Sequence, residues 1–147
     1  MDVSGANLLG SIVALTILIT CSLIFIVRLL GLSEIEYWLG IVFILTSLPV
    51  TFLLFSAGVY NRPAIYYIQL CLMLAFILAE LFLDYIFKVD FRNTGRMVIA
   101  YAVLFFAATG GMIGIASLSG RIYSVFSVLL FLLMAFLAFY QRLKTGM

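Results

Sequence analysis

Residues 64–88 read AIYYIQLCLMLAFILAELFLDYIFK, and this stretch decides what kind of fold the chain can adopt. It is longer than the ~18 apolar residues that separate a membrane-spanning helix from a buried core helix. Its second half carries Glu80, Asp84 and Lys88 at four-residue spacing, which places two carboxylates and one ammonium on one helical face. Because lipid would penalise that face, we expect it to point into a bundle of helices.

The composition of the whole chain indicates a membrane protein. Of the 147 residues, 67% are apolar and 10% are charged, whereas soluble domains have ~45–50% apolar and ~25% charged residues. The strict alternation of barrel strands is absent. The sequence therefore predicts an all-α, polytopic integral membrane protein: a compact bundle of five transmembrane helices in a single domain over residues 1–147. The predicted spans are at about residues 8–30, 36–59, 64–88, 96–119 and 122–140.

Missing residue types exclude several kinds of chemistry. The chain has no histidine, and its two cysteines, Cys21 and Cys71, stand apart in apolar surroundings. Histidine is the usual haem ligand, the commonest zinc ligand and the ordinary general base. We therefore expect no metal site and no cofactor. The basic residues are scattered along the chain, so nucleic acid is not an expected partner.

Two local signals shape the second predicted span. Ser33 and Glu36 have the spacing of a capping box, so we expect the Ser33 side chain to cap the start of this helix. Pro49 lies near the middle of the span. Because proline has no backbone N–H to donate, it predicts a kink there.

The fourth predicted span carries small residues at helical spacing. Gly110, Gly111 and Gly114 lie within one turn of each other. In membrane helices, such residues let a neighbouring helix approach closely. We expect them to serve packing, and contact with a ligand or a pore is the alternative.

The distribution of basic residues predicts an orientation. With five spans, two basic residues, Arg62 and Arg121, fall on one side of the membrane. The positive-inside rule then predicts the N-terminus outside and the C-terminus in the cytoplasm, in a cell inner or plasma membrane. The six basic residues on the predicted cytoplasmic side are Arg28, Lys88, Arg92, Arg96, Arg142 and Lys144.

Glu80 is the most costly residue to place. It lies eight residues before Lys88, the predicted membrane boundary, which is ~12 Å along a helix within a hydrocarbon core ~30 Å thick. Asp84 lies about half as deep. Folding the third and fourth spans as a hairpin places Tyr101 level with the turn that holds both carboxylates and Arg96 near Lys88.

Two hypotheses account for these carboxylates. In the first, ion pairs and hydrogen bonds hold the bundle together, with Glu80 protonated or bonded to Tyr101. In the second, a cytoplasm-facing polar cavity binds a cation or takes up a proton. The candidates for pairing with Asp84 are Arg28, Lys88 and Arg96, and the ligand or ion-binding candidates are Glu80, Asp84, Gln69 and Tyr101.

Met73 and Phe76 separate Gln69 from Glu80 on the same helical face. Any continuous polar route along this face would have to pass these two apolar side chains. We expect both to pack against a neighbouring helix.

Functions outside transport are also open. One alternative is a non-catalytic membrane binding or accessory module that holds a lipid, a hydrophobic ligand or a partner helix. Catalysis on a lipid by the two carboxylates is a third hypothesis, but we expect no enzyme because the common catalytic motifs are absent. The expected partners are the lipid bilayer and either further copies of this chain or another membrane protein.

Overall fold

The computed structural model describes residues 3–59, 61–82 and 95–145, and these residues are all helical or in connecting turns. The long apolar runs form helices because a bilayer requires every backbone polar group to be bonded within its own segment. The helices are α1 (Val3–Leu29), α2 (Ser33–Leu45), α3 (Ser47–Ser56), α4 (Ala64–Glu80), α5 (Gly95–Ser117) and α6 (Arg121–Thr145).

The predicted helical class is confirmed, and the described residues contain no strand. α2 and α3 form one apolar stretch, Ser33–Ser56, so the six segments make five helices. Four of these five are long and apolar enough to cross a membrane. They correspond to the first, second, fourth and fifth predicted spans.

The third predicted span is described only in part. α4 covers 17 residues, Ala64–Glu80, which is close to the lower limit of ~17 for a spanning helix. Leu81 and Phe82 continue this helix in a π-helical conformation. Asp84 and Lys88 lie outside the described residues, so the count of five spans stays a prediction.

Thr46 separates α2 from α3 and lies three residues before Pro49. Pro49 cannot donate to the carbonyl of Leu45, and its ring crowds that carbonyl, which explains why α2 ends there. The Thr46 hydroxyl donates to the carbonyl of Phe43, and the backbone N–H of Val50 donates to the Thr46 carbonyl at 3.2 Å. These bonds join α2 and α3 end to end, so the two segments form one of the five helical rods of the bundle.

The predicted capping box at the start of α2 is wrong. Leu32 is the N-cap residue, Ser33 is already helical, and the described cap has no side-chain hydrogen bond. The chain reaches α2 through Gly31, whose φ of 75° lies in the left-handed region that favours glycine. Leu32 N–H then donates to the Val27 carbonyl at 3.0 Å. Glu36 is left to make a different contact, described below.

α1 occupies the centre of the bundle and packs against α2, α3, α5 and α6. α4 completes the bundle by packing against α5 and α3. Consecutive rods run in opposite directions, so the first turns of α1 meet the last turns of α5. There the buried Ser11 hydroxyl donates to the Ala116 carbonyl at 2.9 Å.

Aromatic side chains pack around Phe76 in the interior of the bundle. This ring is 1% exposed and lies 5.7 Å from Phe43 of α2, 5.3 Å from Tyr101 and 5.2 Å from Phe105 of α5, between ring centroids. Phe105 in turn meets Phe25 of α1 edge-on at 5.8 Å. Four of the five helical rods therefore meet at these rings.

α6 packs along a seven-residue repeat and is the least buried of the four long helices. Ser127, Met134 and Gln141 form its buried seam, and none is more than 2% exposed. A repeat of seven residues is typical of helices that cross at a shallow angle. The opposite face of α6 is apolar along its whole length.

We expect Phe76→Ala to lower the free energy of unfolding by about 3–5 kcal/mol, because it leaves a cavity where four rods meet. Unfolding in mixed micelles with rising dodecyl sulfate, followed by circular dichroism, measures the change. Phe55→Ala is the matched control, since Phe55 is 80% exposed. Equal losses for the two variants would contradict a central role for Phe76.

Candidate functional site

Glu80 is the last residue of α4 and is partly buried. Its carboxylate lies within electrostatic reach of the buried thiol of Cys21 on α1. Cys21 is eight residues before the end of α1 at Leu29, or ~12 Å along the axis. The structure thus places Glu80 at the end of α4, on the side of that helix near α1.

The face between Gln69 and Glu80 is filled. Met73 is 0% exposed and Phe76 is 1% exposed. Phe76 lies one helical turn from Glu80, and Tyr101 packs on the Phe76 ring. Within the described part of the chain, no continuous polar route follows α4 past these two side chains.

Gln69 lies against the glycines of α5. A Cβ atom added to Gly111 would be 3.3 Å from the Gln69 Cγ, and one added to Gly114 would overlap the Gln69 Nε2. Gly110 faces α6 instead, where an added Cβ would meet Phe131 at 4.0 Å. The three predicted packing glycines therefore serve two different contacts, and Gln69 fills a space that only glycine leaves open.

Arg28 and Glu36 form an ion pair between α1 and α2. The Arg28 Nε donates to Glu36 Oε1 at 2.7 Å, and the side chains are 18% and 29% exposed. The Arg28 guanidinium also lies 5.8 Å from the centre of the Phe25 ring. Sequence reasoning considered Arg28 as a partner for Asp84 and missed Glu36. The sequence did contain a signal for this pair, because Arg28 and Glu36 each lie four residues from Leu32 in the turn.

Of the remaining site candidates, the structure describes Arg96. Arg96, in the first turn of α5, is exposed. Asp84 and Lys88 lie outside the described residues. Within the part of the chain that the structure describes, no cluster of three or more acidic or cysteine side chains is arranged to hold a metal ion.

We call the end of the bundle where α1 and α4 end and α5 begins the charged end, because Arg28, Glu36 and Arg96 lie there. A polar contact at the opposite end was also missed. Arg62 Nη2 donates to Asn7 Oδ1 of α1, and the Arg62 guanidinium lies 4.8 Å from the Tyr66 ring centre. No sequence pattern links residues so far apart in the chain.

Comparisons with protein-family models, with curated proteins and with solved structures give no match. The class of protein therefore follows from the helices themselves. Four helices that are long and apolar enough to cross a membrane indicate a multi-pass membrane protein.

We expect Gly114→Ala to destabilise the protein by about 1–3 kcal/mol, because the new methyl group displaces the Gln69 amide. Gly110→Ala is the control and should be neutral or stabilising by up to ~1 kcal/mol, since it has space and gains helix propensity. In Gly114→Ala combined with Gln69→Ala, most of the loss should disappear. A coupling energy below ~0.5 kcal/mol in this double-mutant cycle would rule out the contact.

We expect Glu36→Gln to lower the unfolding free energy by about 1–2 kcal/mol, because it leaves the partly buried Arg28 without its counter-charge. Thermal unfolding in detergent at two salt concentrations measures this change. Glu34→Gln, at an exposed position of the same helix turn, should change stability by less than ~0.5 kcal/mol. If both variants behave alike, the ion pair does not contribute.

Proposed function

We propose that this protein binds a proton or a small cation at Glu80 in a polar cavity that opens toward the cytoplasm. The observation that carries the proposal is a partly buried carboxylate at the end of α4, near the buried thiol of Cys21. Ionisable groups within membrane helices are costly and mark ion or proton sites. Asp84 and Tyr101 are the further candidates for this site.

The packing around Phe76 limits how such a site could work. Since Met73 and Phe76 fill the face between Glu80 and Gln69, a proton or cation reaches Glu80 from the charged end only. Gln69 is occupied by its contact with the glycines of α5 and belongs to the packing. A path across the whole membrane requires an interface between copies of the chain, so transport goes with a homo-oligomer in this proposal.

The orientation belongs to the same proposal. The N-terminus lies outside and the C-terminus in the cytoplasm, because the charged end carries most of the basic residues. Glu80 then faces the cytoplasmic half of the membrane.

The second candidate is a non-catalytic accessory module that holds a lipid, a hydrophobic ligand or a partner helix. The outward face of α6 favours it, because exposed apolar side chains follow one another there at spacings of four and three residues. Such spacing suits contact with another helix. These side chains are Ile122, Phe126, Leu129, Leu133, Phe136, Tyr140 and Leu143.

The test is to measure the protonation of the Glu80 carboxyl group directly. Infrared difference spectra of the reconstituted protein between pH 5 and pH 9 should show a carboxylic acid band that Glu80→Gln removes. Proton or cation uptake into vesicles, followed with a dye in the lumen, should fall to the level of protein-free vesicles in the same variant.

Glu34→Gln is the matched control, since Glu34 is exposed at the start of α2; it should leave both the band and the uptake unchanged. A titrating band without uptake would assign binding without transport. If Glu80→Gln changes neither measurement, the site proposal is wrong and the accessory role becomes the better explanation.

A further inference from the structure

We infer that the C-terminal turn of α6, together with the first turn of α5, binds the headgroup of an anionic phospholipid. Three basic residues lie at this end of the bundle, and all three are exposed: Arg96, Arg142 and Lys144. We call them the basic strip. Four observations support this inference, and none of them depends on which side of the membrane the strip faces.

The first observation is that the two helices bring these residues to one level. The Phe106 ring of α5 stacks on Phe139 of α6 at 5.9 Å and meets Phe131 edge-on at 6.1 Å. Arg96 lies ~15 Å from Phe106 along α5, and Lys144 lies ~8–20 Å beyond those two rings along α6. Because α5 and α6 run in opposite directions, both cations reach the same end of the bundle.

The second observation is the length of α6. Its 25 residues extend ~37 Å, which exceeds the ~30 Å hydrocarbon core. A helix of this length extends beyond the hydrocarbon core, and the basic residues of its last turn favour the headgroup layer, where phospholipid phosphates lie. Leu143, 87% exposed between two basic residues, has an apolar side chain that can reach back to the acyl chains.

The third observation concerns the aromatic side chain below the strip. The Lys144 Nζ lies 5.9 Å from the Tyr140 ring centre, and Tyr140 stacks on Phe136 at 6.1 Å. Tyrosine is favoured at the boundary between hydrocarbon and headgroups. The contact keeps the Lys144 ammonium group close to a ring that favours this boundary.

The fourth observation is that the two sides of this end of the bundle differ in ion pairing. On the α1 and α2 side, Arg28 is neutralised by Glu36. Within residues 3–59, 61–82 and 95–145, none of the three cations of the basic strip forms an ion pair with a carboxylate. The headgroup of phosphatidylglycerol complements the basic strip, because each basic residue near an anionic membrane surface favours binding to that surface.

The experiment uses the full chain with a tryptophan placed beside the strip. Tyr140→Trp together with Trp38→Phe gives one fluorophore there, and its ring still accepts the Lys144 cation. The protein is reconstituted in phosphatidylcholine vesicles that contain brominated phosphatidylglycerol or brominated phosphatidylcholine. Brominated acyl chains quench tryptophan on contact, so the ratio of the two quenching constants measures the preference for the anionic lipid.

We expect a several-fold preference for phosphatidylglycerol at position 140. Changing Arg96, Arg142 and Lys144 together to glutamine should bring the ratio of the two quenching constants down to about one, because all three charges of the strip are removed. Arg121→Gln, an exposed position at the other end of α6, should leave it unchanged. The protein with its natural Trp38, which is 60% exposed at the start of α2, should show little preference.

Three results would overturn the inference: no preference at position 140, a preference that survives the triple glutamine change, or an equal preference at Trp38. Loss of the preference in inorganic phosphate, but not in sodium chloride of the same ionic strength, would assign the strip to a soluble anion and also overturn it. Circular dichroism of each variant verifies that the helices remain intact.

Discussion

The packing of Phe76 is the contact on which the rest of the bundle depends. This ring connects α4 to α2 and α5, and through Phe105 to α1. In a bilayer the hydrophobic effect does not drive helices together, so close packing of side chains has to do so. The same ring separates Glu80 from the polar groups at the other end of α4. One side chain thus stabilises the tertiary structure and restricts access to the carboxylate.

Polar groups within the helices follow a second constraint, since hydrocarbon supplies no hydrogen-bond partner. Most buried hydroxyl groups donate to carbonyls of their own helix: Ser22 to Leu18 at 3.0 Å and Thr109 to Phe105 at 2.7 Å. Ser11 donates to its own helix and also joins α1 to α5. At the two ends of the bundle, Arg28 and Arg62 make polar contacts between helices.

The length and spacing of the apolar runs predicted the helical class and five spans, of which the structure describes four as long helices, because each run is decided by local chemistry. The spacing of Ser33 and Glu36 led to a wrong prediction of a capping box. A capping box and an ion pair across the turn both use an acidic residue at position 36, and the sequence does not distinguish them. The partners of Gln69 and Arg62 could not be read from the sequence. They depend on how distant helices rotate about their axes, and residue spacing within one helix does not carry that information.

The central position of α1 has a consequence for biosynthesis. α1 packs most extensively against α6, the last of the described helices to be synthesised. The buried seam of α6 can form only when that helix has entered the membrane. Until then, the surface of α1 that packs against α6 is in contact with lipid. Contacts between residues so distant in sequence form late in folding. Until α6 is inserted, the bundle of α1 to α5 therefore lacks the side chains of Ser127, Met134 and Gln141 that later cover this surface.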